Sequence, residues 1–325
     1  MASAALPDSR FDHESALNGD DLYVFGGKTA DNGYFFPREE IWTCNVRDKK
    51  WICRVAEGDD ISPPCNGAQS VVIDGIIYSY GGRLNNWGGD LEDVFGLNPQ
   101  EMKWLRIATP PDEKKPWKRH EACLWAIGGR FIMFGGGCNR IPQDHRQLGA
   151  KSDWEVNDEL YEFIFEKNRE KGYWSDLRLD GLKPSGRRRA ATETIDRHRG
   201  LIHGGYQKYE YVTDSFVIDL RAKQWIPIRF SPAPSDRSHR RICRLPHPGL
   251  KERNRFYLVG GKMKEKHFDH AFVLDFDSGE SHEIHLCLDI EPIWLHTLHS
   301  VSSGDEIFQV FVMGGRESGG NLLIF

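Results

Sequence analysis

Leu22-Tyr23-Val24-Phe25-Gly26-Gly27 is a short apolar run closed by two glycines, and the rest of the chain is spaced around copies of it. The form returns as Ile76-Ile77-Tyr78-Ser79-Tyr80-Gly81-Gly82, Phe131-Ile132-Met133-Phe134-Gly135-Gly136, Leu201-Ile202-His203-Gly204-Gly205, Phe256-Tyr257-Leu258-Val259-Gly260-Gly261 and Val310-Phe311-Val312-Met313-Gly314-Gly315. First glycines fall 55, 54, 69, 56 and 54 residues apart, so one interval carries an insertion and the others agree. Regular spacing of this kind marks a repeat architecture. β-branched and aromatic runs suit a strand buried on both faces, and the glycines allow positive φ and close backbone approach where it ends.

In the first four units a tryptophan follows downstream of the doublet, at Trp51, Trp104, Trp174 and Trp225. About fifty residues holding four short strands and a late tryptophan make one propeller blade. The pattern resembles the kelch repeat and covers essentially the whole chain, which predicts an all-β, six-bladed kelch β-propeller over residues 1–325 as a single domain. The fifth unit has Ser281-His282-Glu283-Ile284 in place of the tryptophan, and the sixth stops before reaching that position.

Composition bounds the class. A net charge of -5 with 28% charged residues argues against a general nucleic-acid binder, because phosphate contact calls for a basic excess. No apolar stretch approaches the roughly 20 residues of a membrane span, and Met1–Pro7 is too short for a signal peptide. Seven cysteines without a Cys-x-x-Cys pair read as reduced thiols filling strands, in a cytoplasmic or nuclear protein.

The innermost strand of the first blade is expected near His13 to Leu17, and Asn321–Phe325 has the look of a third strand. The sixth blade then lacks its outermost strand, and residues from Ser3 to Leu6 are expected to pair there and close the ring. In an antiparallel meander, the loops after the doublets share a face with the segments that lead into each new blade. That doublet face carries the longest loop, Gly137 to Asp158 with Trp154, besides Lys28 to Arg38 with Tyr34, Phe35 and Phe36, and Arg83 to Leu91 with Trp87. Loop aromatics suit a surface that grips a ligand, or else they cover the blade tops.

The lead-in segments on that face are basic: Lys118-Arg119-His120, Arg187-Arg188-Arg189 and Arg237-Ser238-His239-Arg240-Arg241. They belong to neighbouring blades, so the ring gathers them at a local positive mouth whose arginine forks suit a carboxylate or phosphate. The alternative is that part of them points into solvent or bridges to acids of adjacent blades. Signals for metals or catalysis are weak, and no cofactor is expected. The pairs His267/His270, His282/His285 and His296/His299 fall in strands and loops, where a three-residue spacing brings nothing together. Nucleophile-elbow, P-loop and dinucleotide fingerprints do not occur, so an enzyme is not expected, although kelch propellers include oxidases and sugar isomerases.

Phe36-Pro37-Arg38-Glu39-Glu40-Ile41-Trp42, Gly58-Asp59-Asp60-Ile61-Ser62-Pro63-Pro64, the third loop ending in Trp154, and Ile293-Trp294-Leu295-His296-Thr297 together resemble the kelch domain-containing protein 2 group. Members of that group are substrate receptors of cullin-RING ubiquitin ligases that hold the C-terminal end of a target peptide in a pocket on the doublet face. The resemblance implies that Ser238 holds the peptide carboxylate and that Trp154 lines the pocket. It also shows departures. Tyr206 and Tyr211 stand where the group has its two carboxylate-clamping arginines, His239 stands for a tryptophan, and Trp294 lies one place before another. Arg189, Arg237, Arg240 and Arg241, with Arg119 nearby, are the candidates for substitute charge. In the group a helical segment after the propeller docks elongin and cullin subunits. Phe325 falls within the last repeat, so either this is a trimmed domain or the protein carries no ligase scaffold of its own. The reading is a peptide- or protein-binding module, with the ligase receptor that the resemblance implies as its specific version and a scaffold or cytoskeletal interaction role without ligase function as the alternative.

Overall fold

In the computed structural model, each apolar run ahead of a doublet is the second strand of an antiparallel sheet. The structure describes residues 6–29, 32–58, 60–84, 89–111, 115–139, 154–207, 210–231, 241–245, 255–259, 262–263, 266–267, 271–284, 297–303, 307–313 and 323–324. All elements among them are strands, and no helix occurs.

Among the described residues four sheets are four-strand meanders in sequence order, and a fifth adds the short parallel strand Asp180–Gly181 to the outer edge of such a meander. The first comprises Glu14–Asn18, Asp21–Phe25, Glu40–Asn45 and Lys50–Val55. The second comprises Gln69–Ile73, Ile76–Tyr80, Val94–Asn98 and Lys103–Ile107, and the third Cys123–Ile127, Arg130–Phe134, Leu160–Phe165 and Gly172–Asp176. The fourth runs through Ala191–Thr194, Arg199–His203, Ser215–Asp219 and Gln224–Ile228. The fifth runs through Arg241–Leu245, Arg255–Val259, Ala271–Asp275 and Glu280–Ile284. The four late tryptophans sit buried on fourth strands, as the repeat pattern predicts.

Side-chain alternation along the second strands builds the core between sheets. In the third sheet Phe131 and Met133 pack with Tyr78 and Tyr80 of the second, while Ile132 and Phe134 pack with Ile202 and Phe216 of the fourth. A period of two thus gives each strand two buried faces, and the sheets stack as propeller blades. The innermost strands surround a central cavity of about 270 Å³, whose lining includes Ser15, Ser70, Thr192, Thr297 and His299.

The doublets join blade to blade. Gly82 N–H donates to the Arg119 carbonyl (3.0 Å) and Gly136 N–H to the Arg187 carbonyl (2.9 Å). Gly81 has φ of 70°, and a methyl group there would collide with the Arg119 carbonyl oxygen. The segments leaving each outer strand then stitch onto the next blade's edge. Trp104 N–H donates to Glu57 O (2.7 Å) and Gly172 N–H to Ala108 O (3.0 Å), which covers edge groups that would invite another strand.

The repeat spacing predicts six blades, whereas the described residues form five complete four-strand meanders and, in the last repeat, a three-stranded sheet, Thr297–Ser303, Ile307–Met313 and Leu323–Ile324. The strand expected to complete it lies in residues 3–6. Residues 1–5 are outside the described residues and Leu6 is in no strand. The first and last sheets touch through hydrogen bonds between His13 Nε2 and Thr297 Oγ1 (3.0 Å) and between Ser15 Oγ and His299 Nε2 (2.6 Å).

Candidate functional site: the mouth on the doublet face

Each lead-in segment places residues at a fixed distance ahead of its first strand, and their fate depends on that distance. Four residues ahead stand Arg10, Arg119 and Arg187, all buried. Each guanidinium is committed within its own blade. Arg119 donates to Trp117 O (2.8 Å), Gly135 O (2.7 Å) and Glu159 (2.9 Å). Arg187 donates to Ser185 O (3.0 Å), Gly204 O (3.1 Å) and Asp214 (2.6 Å), and Arg10 to Asp8 O (3.2 Å), Gly26 O (3.4 Å) and Glu40 (3.3 Å). These arginines staple the lead-in to the doublet carbonyl and to an acid at the start of the third strand. Arg119, a candidate for ligand charge, is therefore a structural residue in this fold.

Two residues ahead of the strand the backbone turns to positive φ in four successive blades, at Asp12 (51°), Gly67 (70°), Glu121 (55°) and Arg189 (59°). Their peptide groups form a chain of hydrogen bonds around the opening: Gly67 N–H to Asp12 O (3.0 Å), Glu121 N–H to Gly67 O (2.6 Å) and Arg189 N–H to Glu121 O (3.1 Å). This girdle aims Asp12, Glu121 and Arg189 at one another from three blades. Glu121 pairs with Arg188 Nη1 (2.5 Å) and with Arg189 Nη2, and Arg189 reaches towards Asp12 Oδ2 of the first blade (3.8 Å). Burial alone would raise the Glu121 carboxyl, but the charges of Arg189 and Arg188, with His120, hold it well below 4.5. Burial likewise opposes the charge on Arg189, and Glu121 and Asp12 more than restore it, so its pKa is raised above the ordinary arginine value.

Just outside this girdle come the residues that follow the doublets. Lys28 bridges the backbone of Phe11 and Phe35, and its ammonium lies 5.2 Å and 5.7 Å from their ring centroids. Tyr206 and Tyr211 face each other across the hairpin of Tyr206–Gln207 and Glu210–Tyr211, with ring centroids 5.1 Å apart and Arg188 5.0 Å above Tyr206. His120 Nδ1 meets Asp90 at 2.9 Å. The sequence candidates Arg189, Tyr206 and Tyr211 are thus brought together, as acids and cations interleaved at the mouth. Trp154 opens the strand Trp154–Val156, which pairs with Gly137–Asn139 after the third doublet, and Arg241 opens the fifth sheet. Arg237, Ser238, His239, Arg240 and Trp294 lie outside the described residues.

The sequence reading missed Glu121, Asp12 and Lys28. It also missed Arg38, which is buried between the first two blades and donates to Glu14 (2.5 Å), Ser62 (2.5 Å) and Ser79 (2.6 Å). Cys44, Cys53, Cys65, Cys123 and Cys138 form no disulfide. Burial pushes the Cys44 and Cys65 thiols up to about 11, which leaves them unreactive at neutral pH. Among the described residues no group of three or more His, Cys, Asp and Glu is arranged to hold a metal, and no helix is long and apolar enough to cross a membrane.

Residues 1–155 match the KLHDC2/KLHL20/DRC7 Kelch-repeats domain. The chain matches this kelch-repeat family over just under half of its length. It is homologous to Kelch domain-containing protein 2 of Bos taurus, 25% identical over 247 residues that take in 69% of this chain and 57% of that protein. Kelch domain-containing protein 1 of Homo sapiens is 25% identical over 236 residues, 68% of this chain and 56% of that protein. Acyl-CoA-binding domain-containing protein 4 of Arabidopsis thaliana is 22% identical over 286 residues, 86% of this chain and 38% of that one. The chain therefore spans little more than half the length of the two kelch domain-containing relatives. The mouth brings together Lys28, Arg188, Arg189 and the rings of Tyr206 and Tyr211.

Proposed function

We propose that this kelch propeller binds the end of a partner polypeptide at the doublet-face mouth, with the terminal carboxylate among Arg188, Arg189 and the Tyr206/Tyr211 hairpin. The observation that carries this reading is the convergence of Arg188, Arg189 and Lys28 from two blades beside paired tyrosine rings. Arginine forks match a carboxylate in two bonds, and the rings give apolar contact to the last side chains. On this reading Ser238, His239, Arg237, Arg240 and Arg241 of the fifth lead-in, together with Trp154 and Trp294, complete the pocket wall, and Arg119 supports it from within its blade.

The architecture proposed with it is one domain over residues 1–325, in which the last sheet is a sixth blade completed by residues ahead of Leu6. The hydrogen bonds from His13 and Ser15 to that sheet favour such a ring. At the level of the cell, the likeness to Kelch domain-containing protein 2 supports a substrate receptor of a cullin-RING ubiquitin ligase in the cytoplasm or nucleus. Co-purification of the full-length gene product with elongin and cullin subunits is the expected result for that role. Their absence from the purified protein would overturn it.

One observation favours a second reading. Glu121 and Asp12 already answer Arg188 and Arg189, so a scaffold that grips an internal, uncharged motif is served by the same mouth. Peptide display with free and amidated C-termini separates the two. Retention that needs the free carboxylate supports end recognition, and equal retention of both forms supports the scaffold.

A further inference from the structure

We propose that Lys28 is the residue that receives the partner's carboxylate, with Arg189 facing it across the mouth. This deepens the end-recognition reading and rests on it.

The residue is held firmly in place. Phe11 N–H donates to Lys28 O (3.0 Å) and Lys28 N–H to Phe11 O (3.1 Å), while Phe35 pairs with it from the far side of the loop. This register sets the side chain over the Phe11 and Phe35 rings, at the edge of the girdle formed by Asp12, Gly67 and Glu121. The rings support the ammonium without neutralising it.

Its charge environment differs from that of the lead-in arginines. Arg10, Arg119 and Arg187 each have an acid within their own blade, and Arg188 and Arg189 have Glu121. Among the described residues no carboxylate lies within 4.0 Å of the Lys28 ammonium. Asp12 and Glu121 act on it only from a distance, and Arg189 and Arg83 repel it. Burial pulls its pKa below 10.5, Asp12 and Glu121 raise it in part, and Arg189 and Arg83 push it down further. A half-buried ammonium with positive neighbours and no contacting acid is stabilised by an arriving anion more than a paired arginine is. A lysine ammonium is a compact point charge, suited to one carboxylate oxygen while the second oxygen faces Arg189.

The test uses the whole chain and a displayed peptide library in free-carboxylate and amidated forms. Lys28→Met keeps the stem on the rings and removes the charge. It is expected to cut retention of the free-carboxylate library about tenfold or more, and Lys28→Arg to recover it to within about threefold. Urea midpoints for both variants are expected to match the parent, which excludes misfolding as the cause. If Lys28→Met retains the free-carboxylate library as the parent does, the Lys28 role is overturned while end recognition stands. If the parent itself shows no preference for free ends, both fall. A second measurement needs no peptide: in NMR of the chain with reductively methylated lysines, acetate and not acetamide is expected to shift the Lys28 resonance. A resonance unmoved by acetate, while Arg189 Nε–H responds, overturns the role.

Discussion

Replacing Arg119 by methionine keeps most of the apolar volume of the side chain and removes its guanidinium. In the folded chain that group is wholly buried and bonds to Trp117 O, Gly135 O and Glu159. The Glu159 side chain is 35% exposed and can rehydrate, so the main loss falls on the buried carbonyl left behind. A buried acceptor stripped of its donor costs about 1–3 kcal/mol, which applies to Gly135 O, whereas Trp117 is exposed and its carbonyl can rehydrate. Relief of guanidinium desolvation offsets part of this, and the Glu159 carboxylate is not left as an uncompensated buried charge. We expect a loss of about 1–3 kcal/mol, a sizeable part of an ordinary domain's total stability. Urea unfolding followed by tryptophan fluorescence measures it. Peptide retention in buffer without denaturant is expected to persist for the folded fraction. A change below about 1 kcal/mol, or lost retention at unchanged stability, would refute the staple assignment and return Arg119 to the ligand site.

Gly81→Ala places a methyl group against the Arg119 carbonyl oxygen at a φ of 70°, so we expect a fall in thermal midpoint. Gly19→Ala serves as the control because it has a similar φ of 65° and nothing within 4 Å, and a drop no larger than the control's would contradict the blade-contact role of the doublet. Glu121→Gln is expected to lower stability at pH 7 by about 1.5–3 kcal/mol. The Glu121 carboxyl is depressed below 4.5 in the folded chain, so its contribution is present above 4.5 and lost as pH falls through its folded value. The gap between parent and variant should therefore close on acidification in paired pH-dependent urea titrations, and a gap constant down to pH 3 would count against the pairing.

The blades were legible because their physics leaves marks in composition. A strand buried on both faces must be apolar at consecutive positions, and the turn against the next blade's carbonyl admits only glycine, so Phe131–Phe134 followed by Gly135-Gly136 reads unambiguously. The buried fourth-strand tryptophans were equally visible, and the fifth sheet forms without one. The mouth was harder to read. Arginines four, three and two residues ahead of a strand look alike in a basic cluster, yet Arg187 turns into its blade while Arg188 and Arg189 turn to the opening. A signal was available: Arg10, Arg119 and Arg187 recur at one position, each with Glu40, Glu159 or Asp214 opening the third-strand side. Glu121 and Asp12 were invisible because only ring geometry brings them to Arg189, and a lone Lys28 has no pattern to betray it.

Photo-crosslinking tests most directly whether recognition happens at this mouth. A display-selected peptide carrying a photoreactive residue next to its C-terminus is irradiated with the chain, and the attachment site is mapped by mass spectrometry. The account predicts attachment within residues 28–36, 120–121, 188–189 or 206–211. Attachment to the turns at 19–20, 74–75, 128–129 or 196–198, on the opposite face, would contradict it.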